Sequence, residues 1–406
     1  MPSLDPDRAL ALVVEHTPAG TAREASLEQA CGLVLAEDVV SDRDYPPFAR
    51  AMMDGYAVRL ADAGRRVSVG GVVAAGQDPQ ALGQKVEDGQ VVEIMTGAPC
   101  PPGTEAVVMV EEVDGDDEAV RLPQAIRAGQ HIAPRGSDCA ASTVVLKAGE
   151  ALTALGIAVL ASFGRTTVRV LAPPSLAIIA TGNEIVSNDG PAGAVELRDA
   201  NGPMLAAQAR ALGLQAALDR ARDSVEAIAQ ALARAAEADI VLLSGGVSAG
   251  RYDLVPAALV GARAEVIFHG VAQKPGKPLL FARTGRQLLF GLPGNPLGSH
   301  FCFHRYVAAS VRRWLGLPAL PVPETARLAT ALDRLPERTL FQPARVEPDE
   351  RGEDGAERWK AMPASARSSA DPFGAAHANA YLRVPPGERS VPAGTQVGFA
   401  WIGGAR

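Results

Sequence analysis

Two lysines stand three residues apart in the stretch "VAQKPGKPLLF". Lys274 and Lys277 enclose Pro275 and Gly276, which stiffen and turn the backbone, and an apolar run typical of a strand follows at once. A stiff cationic loop loses little entropy when it binds an anion. The alternative is a pair of solvated surface lysines, and this stretch taken alone favours that alternative.

A glycine-rich stretch, "SGGVSAGRYD" at 244–253, follows a second apolar run. Gly245 and Gly246 let the backbone come close to a ligand, and Ser248 adds a hydroxyl donor. Adjacent backbone N–H groups in such a loop can cradle an anion. The pattern is neither a Walker A loop nor a dinucleotide-binding GxGxxG motif, and a tight turn without a ligand is an equal alternative.

Three carboxylates lie near predicted strand ends, namely Glu184, Asp199 and Asp253. Carboxylates can coordinate a divalent metal or accept hydrogen bonds from the N–H groups of a heterocycle. For a single acid, an exposed or helix-capping role is the commoner one. Because ligands bind at the carboxyl ends of parallel strands, their clustering there favours a functional role.

Two further sets of polar residues have structural alternatives. Asp138 follows Arg135 closely in "APRGSDC", so the two can form a pair that stabilises a turn or serves a ligand. His300 and His304 are four apart on a predicted helix, with Cys302 between them. No glutamate follows at the zincin position, so a structural role at a surface or interface is favoured over metal chelation.

Composition limits the classes of function. The 406 residues predict two to four domains, and a net charge of −7 disfavours general binding to nucleic acid. No apolar run approaches the roughly 18 residues that span a bilayer. We expect no signal peptide, because "MPSLDPDRALALVVEH" predicts an amphipathic helix capped by Asp5. The four scattered cysteines match no disulfide or zinc spacing, which indicates a reducing cytoplasm.

The elements that position these residues predict a multidomain α/β plus β protein. Alternating strands and helices over 171–318 predict a doubly wound, mostly parallel sheet domain. Short strands over 46–138 predict an inserted β domain within an elongated helical and linker domain of residues 1–45 and 139–170. A proline-rich linker then leads into a C-terminal β domain at 319–406.

Several motifs occur together in the order found in molybdopterin molybdenumtransferases, a family that includes the E domain of gephyrin. They are "MMDGYAV", "IMTGAPCPPGTEAVV", "RGSD", "IIATGNEI", "LLSGGVSAGRYD", "KPGKP" and "LPGNP". The chain resembles this family over nearly its whole length, and the resemblance is weakest after residue 320.

The resemblance implies the last step of molybdenum cofactor synthesis. Adenylylated molybdopterin and molybdate are the substrates, molybdenum cofactor and AMP are the products, and a divalent cation, usually Mg2+, assists. Members resemble elongated homodimers of four domains whose active cleft forms between subunits. The implied partners are molybdopterin adenylyltransferase and molybdoenzyme acceptors, with neither nucleic acid nor a membrane involved.

Residue roles follow from the resemblance, motif by motif. Catalytic roles are implied for Asp54, Thr96, Asp138, Glu184, Lys274 and Lys277, and metal binding for Glu184, Asp199 and Asp253. Contacts to the pterin or its phosphate are implied for Gly245, Gly246, Ser248, Asp253, Pro293, Asn295, Ser368 and Ser369, with Arg345 a weaker match to a family arginine.

The sequence departs from the family pattern at a few positions, and three alternatives follow. Ala49–Ala51 replace a usual Asp-Asn-Ser stretch, Ser142 replaces a glycine, and Leu297 with Gly298 replaces Val-Ser. Because the missing serine lies near the expected molybdate position, tungstate is an alternative oxyanion. A divergent, non-catalytic binding protein is a second alternative. A pterin-binding adenylyltransferase is a third, although that activity needs only the α/β domain.

Overall fold

A computed structural model describes residues 3–247, 254–320, 322–333, 337–349, 359–387 and 390–403. The chain divides into two compact units. The first unit consists of Met1–Arg23, Gly32–Val34 and Val170–Arg406, and the second of Glu24–Cys31 and Leu35–Arg169. The predicted boundaries of four domains stay a prediction.

A six-stranded sheet forms the centre of the first unit. Its first four strands are parallel neighbours, and the last two are each antiparallel to the strand before. In spatial order the strands are Ala216–Ala221, Leu176–Thr181, Ile240–Ser244, Gln287–Leu292, Leu280–Thr284 and Glu265–His269. The predicted mostly parallel sheet is confirmed.

Helices cover both faces of this sheet because successive strand side chains point to opposite sides. Ile178 and Leu242 belong to one apolar cluster, whereas their chain neighbours Ile179 and Leu243 belong to the other. The first cluster includes residues of the helices Pro6–His16 and Asn201–Ala211 and of the closing helix, which spans residues 296–314. The second cluster includes residues of the helices Val225–Arg234 and Val255–Gly261.

The closing helix changes its winding midway. It is α-helical over Pro296–Cys302, π-helical over Phe303–Val307 and α-helical again over Ala308–Trp314. A π-helical turn widens the helix and re-aims the side chains that it carries. Tyr306 in this turn is fully buried.

The C-terminal β domain is a ring of five strands to which a short strand of the lysine loop is added. The ring closes because Thr339–Pro348 pairs with both Trp359–Pro363 and Ala380–Val384. Its other strands are Glu324–Leu328 and Gln396–Trp401, and the added strand is Gln273–Lys274, parallel to Thr339 and Leu340. This ladder brings the start of the C-terminal domain beside Lys274.

The second unit contains another six-stranded sheet. Apolar clusters lie on both of its faces, and its helices are Leu27–Ala30 and Ala154–Ser162. In spatial order the strands are Ala106–Met109, Gly55–Val58, Gln90–Ile94, Arg66–Val73, Ala119–Arg121 and Asp114–Gly115. The predicted inserted β domain is therefore present as a sheet.

Short elements complete the described chain. The remaining strands are Ala22–Ser26, Val39–Val40, Arg50–Ala51, Ile132–Ala133, Val144–Leu146, Thr167–Leu171, Ile185–Val186, Leu197–Arg198, Leu332–Asp333 and Ser390–Val391. Single 3-10 turns occur at Leu60–Asp62, Val110–Glu112 and Phe373–Ala375. Within these described parts, no helix is both long and apolar enough to cross a membrane.

Candidate functional site

The loop of residues 274–277, here called the lysine loop, has exposed charged side chains at its two ends and buried residues between them. Pro275 and Gly276 are buried, whereas Lys274 and Lys277 are exposed. Gly276 has a φ of 85°, a left-handed conformation that favours glycine and sharpens the turn between the two lysines. No ion pair within the described ranges involves either lysine. The loop therefore carries two uncompensated cations at a fixed turn.

These lysines line a cavity of about 510 Å³, here called the oxyanion cavity. Its walls also include three of the residues for which ligand contacts were implied, Gly246, Pro293 and Asn295, together with Gly298. Arg338, which the motifs did not indicate, is a third cation in the wall, whereas the weaker family match Arg345 does not line the cavity. Among the described residues no carboxylate lines it. Three cations without an acid are suited to an oxyanion.

The C-terminal domain contributes a second wall through Ser369. Asn295 Nδ2 donates to Ser369 Oγ over 2.9 Å, and the Leu297 N–H donates to the Ser369 carbonyl over 3.1 Å. Ser368 is not part of the cavity wall, and its hydroxyl accepts a hydrogen bond from the Ala370 N–H over 3.2 Å. Of the two predicted serines, only Ser369 is brought to the lysines.

The glycine-rich loop begins at the end of the strand Ile240–Ser244. Gly246 reaches the cavity, whereas Gly245 packs behind it, where an added Cβ would lie 2.7 Å from the Thr181 carbonyl oxygen. The predicted residues Ser248 and Asp253 lie outside the described residues. The first part of this loop therefore reaches the cavity at Gly246, and its approach to a ligand stays a prediction.

Asn201, which sequence reasoning missed, ties two of these loops together. Its Nδ2 donates to Ser244 Oγ over 2.9 Å and to the Gly294 carbonyl over 2.7 Å. Its Oδ1 is buried and has no hydrogen-bond partner among the described residues. Asn201 is the first residue of the helix Asn201–Ala211, and no local signal in the sequence indicated this bridging role.

The predicted metal ligands are separated by strand register. Ile185 and Val186 pair in parallel with Leu197 and Arg198. In this register Glu184 and Asp199 lie three residue positions apart along the strands, which is a rise of roughly 10 Å. Asp199 Oδ1 accepts the Gly202 N–H over 2.8 Å at the start of a helix, which is a capping role.

No three of His, Cys, Asp and Glu form a metal site within the described residues. Asp253, the third predicted ligand, lies outside them. The magnesium site therefore stays a prediction.

In the second unit the structure brings Asp54 and Thr96 together. Asp54 Oδ1 accepts hydrogen bonds from the Thr96 N–H over 2.6 Å and from Thr96 Oγ1 over 2.7 Å. The backbone hydrogen bond, followed by the hydroxyl, lowers the pKa of Asp54, so this carboxylate is ionised at neutral pH. The pair forms an exposed anionic acceptor beside the strand Gly55–Val58.

The expected pair of Arg135 and Asp138 does not form. Arg135 Nε donates to Asp44 Oδ2 over 2.7 Å, and Asp138 Oδ2 accepts from Arg50 Nη2 over 3.2 Å. These longer-range pairs form because the turn of "PRGSD" separates the two side chains and offers each a different partner. Asp138 is exposed, and the structure does not place it against Asp54 or Thr96 through any hydrogen bond in the described residues.

The two histidines of the closing helix contact the C-terminal domain. His300 Nδ1 lies 2.7 Å from the hydroxyl of Tyr381, and the His304 ring centroid is 5.6 Å from the Tyr381 ring. Burial lowers the pKa of each histidine to about 4, so both are neutral at pH 7. His304 also borders a mostly apolar cavity of about 290 Å³, whose walls include Phe301 and Phe341. This arrangement supports the structural role favoured by the sequence.

Known proteins match the chain from end to end. Residues 4–164 match the MoeA N-terminal region (domain I and II), residues 177–313 the probable molybdopterin binding domain, and residues 325–400 the MoeA C-terminal region (domain IV). The molybdopterin molybdenumtransferase of Staphylococcus epidermidis is 31% identical over 385 residues, which are 92% of this chain and 89% of that protein. Its counterpart in Staphylococcus aureus is 31% identical over 399 residues, 96% of this chain and 93% of that protein.

Solved structures agree with these matches. Two structures of the molybdopterin biosynthesis MoeA protein from Pyrococcus horikoshii are similar to this chain, with TM-scores of 0.83 and 0.79 and identities of 28% and 26%. They cover 99% and 98% of this chain and 100% of the solved chains. The chain is therefore an enzyme of molybdenum cofactor biosynthesis that belongs to the molybdopterin molybdenumtransferase family.

Proposed function

We propose that this enzyme inserts molybdenum into adenylylated molybdopterin and releases AMP and molybdenum cofactor. The observation that carries the proposal is the oxyanion cavity, where Lys274, Lys277 and Arg338 converge with no described carboxylate between them. Molybdate and a pyrophosphate are both oxyanions, and their close approach requires cations and N–H donors. The cavity volume of about 510 Å³ is within the roughly 300–1,000 Å³ of small-molecule sites.

The roles of the residues follow from their positions. Lys274 and Lys277 bind the oxyanion from the loop, and Arg338 binds it from the C-terminal domain. Gly246 brings backbone close to the terminal phosphate, and Asn295 holds Ser369 at the opposite wall. Cleavage of the phosphoanhydride bond by water gives AMP and molybdopterin. The two dithiolene sulfurs then bind molybdenum as one oxo ligand of molybdate leaves as water with the two thiol protons.

No protein thiol is needed for this chemistry. Cys302 is buried below the lysine loop, and burial raises the pKa of its thiol far above neutrality. The dithiolene sulfurs belong to the substrate. Mg2+, when bound by the predicted carboxylates, would neutralise the pyrophosphate. The homodimer with its cleft between subunits, the acceptor proteins and a cytoplasmic setting are proposals that rest on the family resemblance.

Tungstate is a second candidate for the oxyanion substrate, because Gly298 replaces the serine that the family usually has near the expected molybdate position. An added Cβ at this position would lie 2.9 Å from the Pro293 Cβ, so a serine cannot be accepted unless Pro293 moves. The cavity is therefore shaped around a glycine, and its oxyanion contacts must come from other residues. Arg338 and the two lysines are the charged groups that the described cavity offers.

The test is AMP release from adenylylated molybdopterin with Mg2+ and either molybdate or tungstate. We expect release that depends on the oxyanion, and Arg338→Ala should raise the KM for molybdate about tenfold by removing a charge-assisted contact. Arg345→Ala is the matched control, because this exposed arginine belongs to the strand Thr339–Pro348, which Arg338 directly precedes, and lies outside the cavity.

Three other outcomes would favour the alternatives. ATP-dependent adenylylation of molybdopterin would identify an adenylyltransferase. Tight pterin binding without AMP release would identify a non-catalytic binding protein. Equal KM values for wild type and Arg338→Ala would remove Arg338 from the site and leave the two lysines as its cations.

A further inference from the structure

A fully buried glutamine lies directly beneath the lysine loop. The Gln273 side chain has no exposed surface, and its Nε2 donates to the Gly276 carbonyl over 3.2 Å. Its Oε1 accepts a hydrogen bond from the hydroxyl of Tyr306, which is also fully buried, over 2.5 Å. Because a buried amide without partners is costly, these two bonds fix the orientation of the glutamine.

The Gly276 carbonyl is the point on which the loop turns. It accepts hydrogen bonds from Gln273 and from the Leu279 N–H, over 3.2 Å each, and Cys302 Sγ lies 3.8 Å away. An added Cβ on Gly276 would lie 2.5 Å from Cys302 Sγ and 3.0 Å from Gln273 Nε2. The turn between the lysines is therefore pressed onto this polar layer without spare space.

The loop is also closed at its two ends. The Val271 N–H donates to the Lys277 carbonyl over 2.8 Å, and Lys274 is in register with Leu340 of the C-terminal domain. Tyr306, which reaches Gln273 from the other side, belongs to the π-helical turn Phe303–Val307 of the closing helix. The closing helix thus supports the loop from below through the Tyr306 hydroxyl and the Cys302 thiol.

We infer that Gln273 and Tyr306 are positioning residues that set the spacing of Lys274 and Lys277 for the oxyanion. Neither side chain is charged, and each acts through the Gly276 carbonyl. The inference rests on the proposed function, since it requires the two lysines to bind the oxyanion. A merely structural pair would stabilise the fold without any specific effect on oxyanion affinity.

The experiment compares three variants of the full-length protein. Gln273→Met keeps the length of the side chain and removes both hydrogen bonds. Tyr306→Phe removes the bond to Gln273 Oε1 and the 3.5 Å bond to the Pro6 carbonyl, and it leaves the bond from Gln273 to Gly276 in place. Gln287→Met is the matched control: Gln287 Nε2 donates to the carbonyls of Ala235 and Ala238 over 2.9 and 2.7 Å, at the far end of the strand Gln287–Leu292. Molybdate affinity is measured by calorimetry, steady-state constants by AMP release, and stability by urea unfolding.

We expect Gln273→Met to raise the Kd and KM for molybdate about five- to tenfold and Tyr306→Phe about two- to threefold. The KM for adenylylated molybdopterin and the kcat at saturating molybdate should stay within about twofold of the wild-type values, because the pterin contacts and the lysines remain. Gln287→Met should lose stability but keep wild-type affinity for molybdate.

The possible failures are distinguishable. If the wild type binds molybdate and Gln273→Met binds it equally well, the inference is wrong and the proposed function stands. An equal loss of molybdate affinity in Gln287→Met would show a general effect of stability and would also overturn the inference. If Gln273→Met does not fold, unchanged affinity in Tyr306→Phe decides against it. A wild type that binds no molybdate overturns the proposed function and the inference together.

Discussion

Two groups of cations in the first unit have opposite surroundings. Arg305 and Arg383 both hold the carboxylate of Asp7, with N–O distances of 2.7 and 2.6 Å, and these three residues are called the Asp7 clamp. The three cations Lys274, Lys277 and Arg338 line the oxyanion cavity, which has a volume of about 510 Å³. No carboxylate lines this cavity in the described part of the chain. The first group is compensated within the protein, and the second is not.

This difference separates structural charge from functional charge. In the Asp7 clamp, one anion joins the N-terminal helix Pro6–His16 to the closing helix and to the C-terminal strand Ala380–Val384. In the cavity, the three cations have no carboxylate among the described lining residues, so an oxyanion bound there would supply the missing negative charge. Lys277→Ala removes a charge from the cavity and Asp7→Asn removes one from the Asp7 clamp, so these two variants test the distinction.

Removal of a cavity lysine should give the largest effect. Lys277→Ala is expected to weaken molybdate binding by on the order of 1.5–3 kcal/mol, about 10- to 150-fold in Kd, through loss of a charge-assisted hydrogen bond. Stability should change little because the side chain is exposed. Calorimetric titration with molybdate measures the first effect and urea unfolding the second.

Lys147→Ala is the control for this variant, since Lys147 belongs to the other unit and is absent from the cavity wall. An unchanged Kd in Lys277→Ala would contradict the assignment of the lysine loop to the oxyanion.

Acid should weaken the histidine contact with Tyr381 before it affects the cavity. The pKa of His304 is about 4 in the folded state, against an ordinary value of 6.5, so the unfolded chain binds this proton first. The free energy of unfolding should therefore fall as the pH falls from 6.5 to about 4, by on the order of 1–3 kcal/mol from this residue.

Urea unfolding of the wild type and His304→Phe at pH 7 and 4.5 measures this contribution. The variant, which has no proton to take up at this position, should lose less stability on acidification than the wild type. Equal losses would show that His304 does not carry the acid sensitivity.

The Asp7 clamp should give the smallest effect. Asp7→Asn removes both ion pairs, and we expect a loss of about 1 kcal/mol in the free energy of unfolding. Asp7 and Arg383 are half exposed and screened by water, and the amide oxygen of asparagine can still accept a hydrogen bond from Arg305, whose side chain is only 11% exposed. Molybdate affinity should equal that of the wild type. A large loss of oxyanion affinity in Asp7→Asn would break the distinction between the two groups.

The sequence predicted the parts of the site that depend on local pattern. The end of a predicted strand indicated Gly246, because the carboxyl ends of parallel strands meet at one edge of a sheet. The lysine loop and Asn295 were assigned through motifs shared with the family, since the lysine stretch taken alone favoured surface lysines. The mostly parallel sheet followed from apolar runs alternating with helical periodicity. These features are set by residues close together in the chain.

The parts that were missed depend on long-range pairing. Arg338 reaches the cavity because Thr339 pairs with Gln273, a ladder between distant segments that no local pattern indicates. Arg135 was expected beside Asp138, but each pairs with a residue about 90 positions away, since a turn leaves the partner choice to the surrounding fold.

The most direct test of the central claim is a crystal structure with bound tungstate, whose anomalous scattering marks its position. We predict one strong peak in the oxyanion cavity, with oxygens within hydrogen-bond distance of Lys277 Nζ and the Arg338 guanidinium. Tungstate bound elsewhere, with the cavity empty at a saturating concentration, would contradict the account.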